Sequence, residues 1–262
     1  MTGIDVEPRF TAGIGLSIVL PALNEEYGVA AVINRIPERS MRESGIIPKV
    51  TLLDGNSTDG TRAVAQQLGA EVFVQSGKGK GAALREFLPK ITEKYTVLLD
   101  CDGTYPPEII PRFVEKLAEG KPVVVGSRIL GSIEEGAMSG TNYLGNRVLS
   151  AVASFLFQSP ISDVCSGMWA FDSEQLKSLG LTADGFDIEA DIFARCARKG
   201  IPITEIPIPY HRRIGEAKLR VWEGLRIAFA LLRERLLVAD DLHREGPSER
   251  PSPPAGRIPQ GQ

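Results

Sequence analysis

Thr96-Val97-Leu98-Leu99-Asp100-Cys101-Asp102-Gly103-Thr104-Tyr105-Pro106-Pro107-Glu108 couples an apolar run of strand length to two carboxylates spaced i, i+2. A Gly-Thr-Tyr turn follows, and Pro106-Pro107-Glu108 reads as a helix start, because proline is tolerated in a first turn. Side chains two apart on a strand share a face, so Asp100 and Asp102 can converge on one ligand. Converging carboxylates repel unless a cation or proton sits between them. Hard oxygen donors suit Mg²⁺ or Mn²⁺, which in turn suit a diphosphate. A bare Asp-x-Asp on its own reads more readily as a strand end carrying two solvated acids, so the neighbouring segments decide.

On the N-terminal side the pattern repeats. Residues 16–21 form an apolar strand closed by Pro21 and followed by Ala22-Leu23-Asn24-Glu25-Glu26, with a helix expected over 27–35. Residues 49–53 form a second strand, ending in Asp54-Gly55-Asn56-Ser57-Thr58-Asp59-Gly60-Thr61, where Ser57 to Asp59 offer N-caps for a helix through Leu68. A third strand, 71–75, leads to Ser76-Gly77-Lys78-Gly79-Lys80-Gly81 and a helix to about Ile91. Beyond the paired aspartates come a helix over 107–119 and a fifth strand over 122–126. Short apolar strands alternating with helices predict an α/β fold: a mostly parallel, doubly wound sheet with helices on both faces. In such sheets ligands bind beyond the carboxyl ends of the strands. All four polar clusters follow strands directly, so they share one edge, and that coincidence favours a site over four solvated loops.

Two phosphate motifs nearly match. Gly77-x-Gly79-x-Gly81 lacks the G-x-G-x-x-G spacing, and Gly55-x-x-x-x-Gly60 is followed by Thr61-Arg62 instead of Lys-Ser/Thr. A dinucleotide fold and a P-loop ATPase are therefore disfavoured. A lysine-bearing glycine loop still approaches phosphate closely, which makes Lys80 a candidate substrate ligand; a solvated loop is the alternative for both Lys78 and Lys80.

Past Gly126 the residues 129–141 are glycine-rich and expected to be mobile. A helix is predicted over 142–157, a strand over 167–171, a helix over 186–199 with Asp187, Glu189 and Asp191 near its start, and a proline-interrupted edge strand over 203–209. The chain divides into a loose arm (1–15), one α/β domain (16–218), an amphipathic helix (219–243) and a disordered tail (244–262). In that helix Trp222, Leu225, Phe229, Leu232 and Leu236 lie on one side, flanked by arginines. It either packs on the domain or lies against anionic lipid.

A net charge of −3 gives no overall footprint for nucleic acid. Three cysteines without a C-x-x-C pair argue for reduced thiols and a cytoplasmic setting, and two histidines exclude a His-rich metal centre. The sequence displays neither a signal-peptide pattern nor an uncharged apolar run of about 18 residues. The expectation is a cytoplasmic protein, soluble or peripheral on the cytoplasmic membrane face.

With these residues assembled, the chain resembles the family 2 inverting glycosyltransferases of GT-A fold, and among them the dolichyl- or polyprenyl-phosphate hexose (mannose or glucose) synthases. The resemblance rests on an ordered set: residues 19–26, 54–61, 77–81, Asp100-Cys101-Asp102, Gly126-Ser127-Arg128, Asp163-Val164-Cys165-Ser166-Gly167 and residues 213–219. It implies a GDP- or UDP-hexose donor whose nucleoside is lined by Pro21, Asn24, Glu25 and Asp54. Asp100 and Asp102 hold Mg²⁺ or Mn²⁺ on the diphosphate, and Arg213 and Lys218 close over the phosphates. The sequence departs from the family pattern at Gly55, where a second aspartate is usual, and at Thr104, where the mannose synthases carry a metal-binding glutamine.

Departure of a diphosphate from a sugar carbon calls for a Lewis acid and for cationic side chains, here Asp102 through its metal and Arg213. A phosphate monoester has a second pKa near ~6 and arrives as a competent nucleophile, needing positive charge and no base. Arg128 and Arg147 flank the glycine-rich loop and suit such an acceptor, with the 144–157 helix against its lipid chain. A hydroxyl acceptor would instead need a base, for which Asp163, Asp187 and Glu189 are the candidates. The leading expectation is therefore metal-dependent hexose transfer, with inversion, to a polyprenyl phosphate. The alternatives are a soluble or glycan hydroxyl acceptor, a sugar nucleotidyltransferase, and a non-catalytic nucleotide-sugar-binding adaptor.

Overall fold

The computed structural model describes residues 13–215, 224 and 227–235. Lys218, nearly all of the N-terminal arm and the C-terminal tail lie outside these residues, as do Trp222, Leu225 and Leu236 of the expected amphipathic helix.

Seven strands form one sheet: β1 (Ile14–Ala22), β2 (Ile46–Asp54), β3 (Glu71–Val74), β4 (Tyr95–Leu99), β5 (Val123–Ser127), β6 (Met168–Asp172) and β7 (Ile203–Pro207), in the order β3-β2-β1-β4-β6-β5-β7. β6 runs antiparallel to both neighbours, and every other pairing is parallel. Among the described residues eight α-helices lie in the connections: α1 (Glu26–Arg35), α2 (Glu38–Glu43), α3 (Thr61–Gln67), α4 (Lys80–Phe87), α5 (Ile110–Ala118), α6 (Gly140–Phe157), α7 (Ser173–Ser178) and α8 (Ile188–Arg198).

The apolar runs in the strands have a two-sided reason. Leu16, Ile18 and Leu20 of β1 pack with Val97 and Leu99 of β4 in one core layer, whereas Val19 and Leu98 join Trp169 and Phe171 in the other. Period-two alternation thus feeds two covered faces in the central strands, while the edge strand β3 keeps Glu71 exposed. In α5 one stripe is buried, Ile110, Phe113, Val114 and Leu117, at i, i+3, i+4 and i+7, whereas α8 is buried on nearly all sides from Ile188 to Ala194.

Two expectations need correction. Residues 129–141 are tied down, since Ile133 bridges Tyr210, and the amides of Glu134 and Tyr210 donate to the Tyr210 and Ser132 carbonyls. The helices α2 and α7, of six residues each, are too short to show a periodicity in sequence. In the helical segment 227–235 the inward residues are Ile227, Ala230, Leu231 and Glu234, while Phe229 and Leu232 are exposed. Glu234 turns inward because Arg198 of α8 meets its carboxylate at 3.1 Å. Among the described residues no helix is long and apolar enough to cross a membrane.

Candidate active site

The carboxyl ends of β1 to β4 open onto one cavity of about 660 Å³. Pro21, Leu23 and Glu25 enter it from β1 and its loop, Gly55 and Asn56 from the loop after β2, and Gln75 to Lys80 from the loop after β3. Asp100, Cys101 and Asp102 follow β4, and Glu189, Arg213 and Ile227 close the far side. β3, β2, β1 and β4 are adjacent in that order and all run parallel, which puts the loops at their carboxyl ends on one edge.

The two aspartates are held in different ways. Asp100 receives the ammonium of Lys80, the first residue of α4, at 2.5 Å on Oδ1. Lys80 also touches Glu189 Oε1 on α8, so one cation serves two carboxylates. Burial alone would lower the Lys80 pKa, but Asp100 and Glu189 outweigh it and raise the ammonium above its ordinary value. Glu189 is raised by burial and by Asp100, with Lys80 opposing, as expected where two acids share one base.

Asp102 is fixed through Oδ1, which accepts from the Thr104 amide at 3.0 Å and from Thr104 Oγ1 at 2.5 Å. Its Oδ2 meets the guanidinium of Arg213, whose Nη1 lies 3.5 Å from Glu25 Oε1. Arg213 reaches this point because the segment carrying it pairs with the turn after β4: His211 N donates to Thr104 O at 2.9 Å, and Ile214 N to Asp102 O at 2.8 Å. Thr104 therefore acts on Asp102 and is itself buried.

Other predicted residues lie elsewhere. The Asp54 carboxylate is fully buried and accepts from the Asn56 and Ser57 amides, so it shapes the loop whose Gly55 and Asn56 reach the cavity. Asn24, at φ +50°, accepts from the Thr58 amide at 2.8 Å and joins the first and second loops without lining the cavity. Gly79 and Gly81 have a packing role, because a Cβ on either would stand 2.2 Å from the carbonyl oxygen of Asp184 or Ala183. The glycine spacing thus reflects a close backbone approach.

Arg128 is a correction. Its side chain does not line the cavity but forks onto Asp163, with Nε and Nη2 each 2.7 Å from a carboxylate oxygen. The guanidinium also lies 5.9 Å from the Tyr105 ring and 5.2 Å from the Tyr210 ring. Asp163 accepts in addition from Asn146 Nδ2 of α6, which removes it as a base candidate. Arg147 is exposed on α6 beside Tyr143 and is not brought to the cavity. Asp187 also stays outside, leaving Glu189 as the one carboxylate of the three base candidates in the lining.

Among the described residues no three His, Cys, Asp or Glu side chains converge as a metal cage. The donor set still fits a hard divalent ion, because Mg²⁺-type sites commonly use one or two carboxylates and take further oxygens from substrate phosphates. Cys101, Cys165 and Cys196 are free thiols. Burial pushes Cys165 and Cys196 up to about 12, and burial with the flanking Asp100 and Asp102 holds Cys101 well above its ordinary value.

Residues 17–180 match the family model for glycosyl transferase family 2. A glycosyltransferase named AglJ from Haloferax volcanii is 38% identical over 75% of this chain, and the match spans 63% of that relative's length. A dolichyl-phosphate hexose transferase of the same organism is 33% identical over 80% of this chain and 88% of its own. Glucosyl-3-phosphoglycerate synthase from Mycobacterium tuberculosis, solved with Mn²⁺, UDP-glucose and phosphoglyceric acid, superposes with a TM-score of 0.67 at 25% identity. That superposition covers 85% of this chain and 80% of that one.

Proposed function

This chain belongs to glycosyl transferase family 2, and we propose that it moves a hexose from a nucleotide sugar to a polyprenyl phosphate in a divalent-metal-dependent reaction. The observation that carries this reading is the pairing of Asp100 and Asp102 with Lys80 and Arg213 at the end of β4. Two acids and two cations at one cavity wall match a metal-bridged diphosphate, whose charges they complement. The relative named dolichyl-phosphate hexose transferase supports the lipid phosphate, and the neighbour solved with Mn²⁺ and UDP-glucose supports the donor and metal.

In this account the nucleoside lies along Pro21, Glu25, Gly55, Asn56 and Gln75. Asp100 and Asp102 would hold Mg²⁺ or Mn²⁺, which would supply Lewis-acid stabilisation of the departing diphosphate. Arg213 and Lys80 place positive charge where the leaving oxygen gains negative charge. The acceptor phosphate oxygen forms the new bond to the anomeric carbon while the bond to the nucleoside diphosphate breaks, so the anomeric configuration inverts. Already ionised, the acceptor gives up no proton. Association with a membrane surface follows from the lipid acceptor.

Glu189 favours a second reading. A buried carboxylate in the lining, with its pKa raised, is the kind of group that takes the proton of an attacking hydroxyl. A soluble acceptor also accords with the neighbour solved with phosphoglyceric acid. The test supplies labelled GDP- and UDP-hexoses with Mn²⁺ or Mg²⁺ and a short polyprenyl phosphate. Label entering the chloroform phase supports the proposal, and product formed only from a nucleoside triphosphate and a sugar phosphate contradicts it.

A further inference from the structure

We propose that Tyr105 is a positioning residue for the Asp100 carboxylate, acting through the main chain of Gly167. The inference rests on the proposed role of Asp100 as a ligand of the metal diphosphate. Gly167 stands between the two side chains: its amide donates to Tyr105 Oη at 2.6 Å, and its carbonyl accepts from the Asp100 amide at 3.2 Å. A Cβ on Gly167 would lie 2.1 Å from Asp100 Oδ2, so the carboxylate rests directly against the Gly167 Cα. A shift of Gly167 therefore shifts Asp100.

Tyr105 is itself held from several sides. It is 2% exposed, and its ring meets Tyr210 edge-on with centroids 5.4 Å apart. The Arg128 guanidinium lies near both rings and is anchored to Asp163, which binds Asn146 of α6. The Tyr210 amide donates to Ser132 O at 2.8 Å, which ties in the segment after β5. Tyr210 and Arg128 thus meet on one ring, with α6 tied in through Asp163. If that ring only filled space, phenylalanine would serve as well. The hydroxyl adds a bond to the amide of the residue that seats Asp100, and Tyr105 itself does not line the cavity.

Partners that orient a metal ligand without touching the metal commonly alter metal affinity when removed. The experiment measures Mn²⁺ binding by electron paramagnetic resonance, with UDP and then GDP present, in wild type, Tyr105→Phe, Gly167→Ala and Asp100→Asn, beside a melting curve for each. Tyr105→Phe is expected to melt cooperatively yet bind Mn²⁺ about tenfold more weakly, with Gly167→Ala weaker still. Turnover should fall in both while KM for the acceptor stays unchanged. Wild-type Mn²⁺ affinity in folded Tyr105→Phe and Gly167→Ala, with Asp100→Asn defective, would overturn the positioning role alone. Wild-type affinity in Asp100→Asn as well would remove the metal reading of Asp100, and the inference with it.

Discussion

Lys80 Nζ lies 2.5 Å from Asp100 Oδ1, so the chain's own cation is paired with a carboxylate that would also hold the proposed metal. The two compete for one carboxylate. Replacing Lys80 by Met, which keeps the stem and removes the charge, should make Mn²⁺ bind about tenfold more tightly without nucleotide, the worth of one charge-assisted hydrogen bond. Turnover should nevertheless fall about a hundredfold, because a cation near the leaving diphosphate is lost. Mn²⁺ titration of the protein alone and steady-state kinetics check the two halves separately.

Arg128→Met leaves the Asp163 carboxylate buried without its counter-charge. The expected cost is about 3–5 kcal/mol of folding stability, read from urea unfolding. Since Arg128 does not line the cavity, KM for the acceptor should stay close to wild type in whatever fraction remains folded. A large rise in that KM would restore Arg128 as an acceptor ligand.

Thr104→Val removes the Oγ1 hydrogen bond to Asp102 Oδ1 and keeps the backbone one. Metal affinity in the presence of nucleotide should drop about tenfold, with little change in melting temperature. Thr104→Ser, which restores the hydroxyl, should recover it.

The thiols give a pH prediction. In the folded chain Cys165 and Cys196 are pushed from 9.0 up to about 12. At pH 8 their thiolate fraction is smaller by ~10³ than that of an ordinary thiol, so alkylation by iodoacetamide should be slow unless the chain unfolds. The unfolded state loses these protons first, and stability should therefore decline as pH rises from about 9 toward 12. Mass spectrometry of alkylated peptides across that range tests both points.

Much of this site is legible in sequence because its signal is local. A strand followed at once by polar residues marks one loop, and a parallel sheet puts four such loops on one edge. Asp100, Asp102, Lys80 and Glu25 all reach the cavity for that reason. What stays hidden depends on partners far apart in the chain. Arg128 reads as a free cation beside a glycine-rich loop, and only folding brings Asp163, 35 positions on, against it. Glu189 reads as an acid favouring a helix start, and its tie to Lys80 spans 109 positions. Gly79 and Gly81 look like a phosphate loop because the segment around Ala183 and Asp184 that requires them cannot be foreseen. The antiparallel direction of β6 is hidden too, since an apolar strand buried on both faces carries no mark of its sense.

One competition experiment tests the central claim most directly. The protein, with Mn²⁺ and a labelled nucleotide hexose, is offered polyprenyl phosphate and 3-phosphoglycerate together at equal concentration, with Asp102→Asn as the blank. The account predicts label in the lipid fraction, none in the blank, and loss of the signal on chelation. Label in the aqueous acceptor alone, or undiminished transfer by Asp102→Asn, would contradict it.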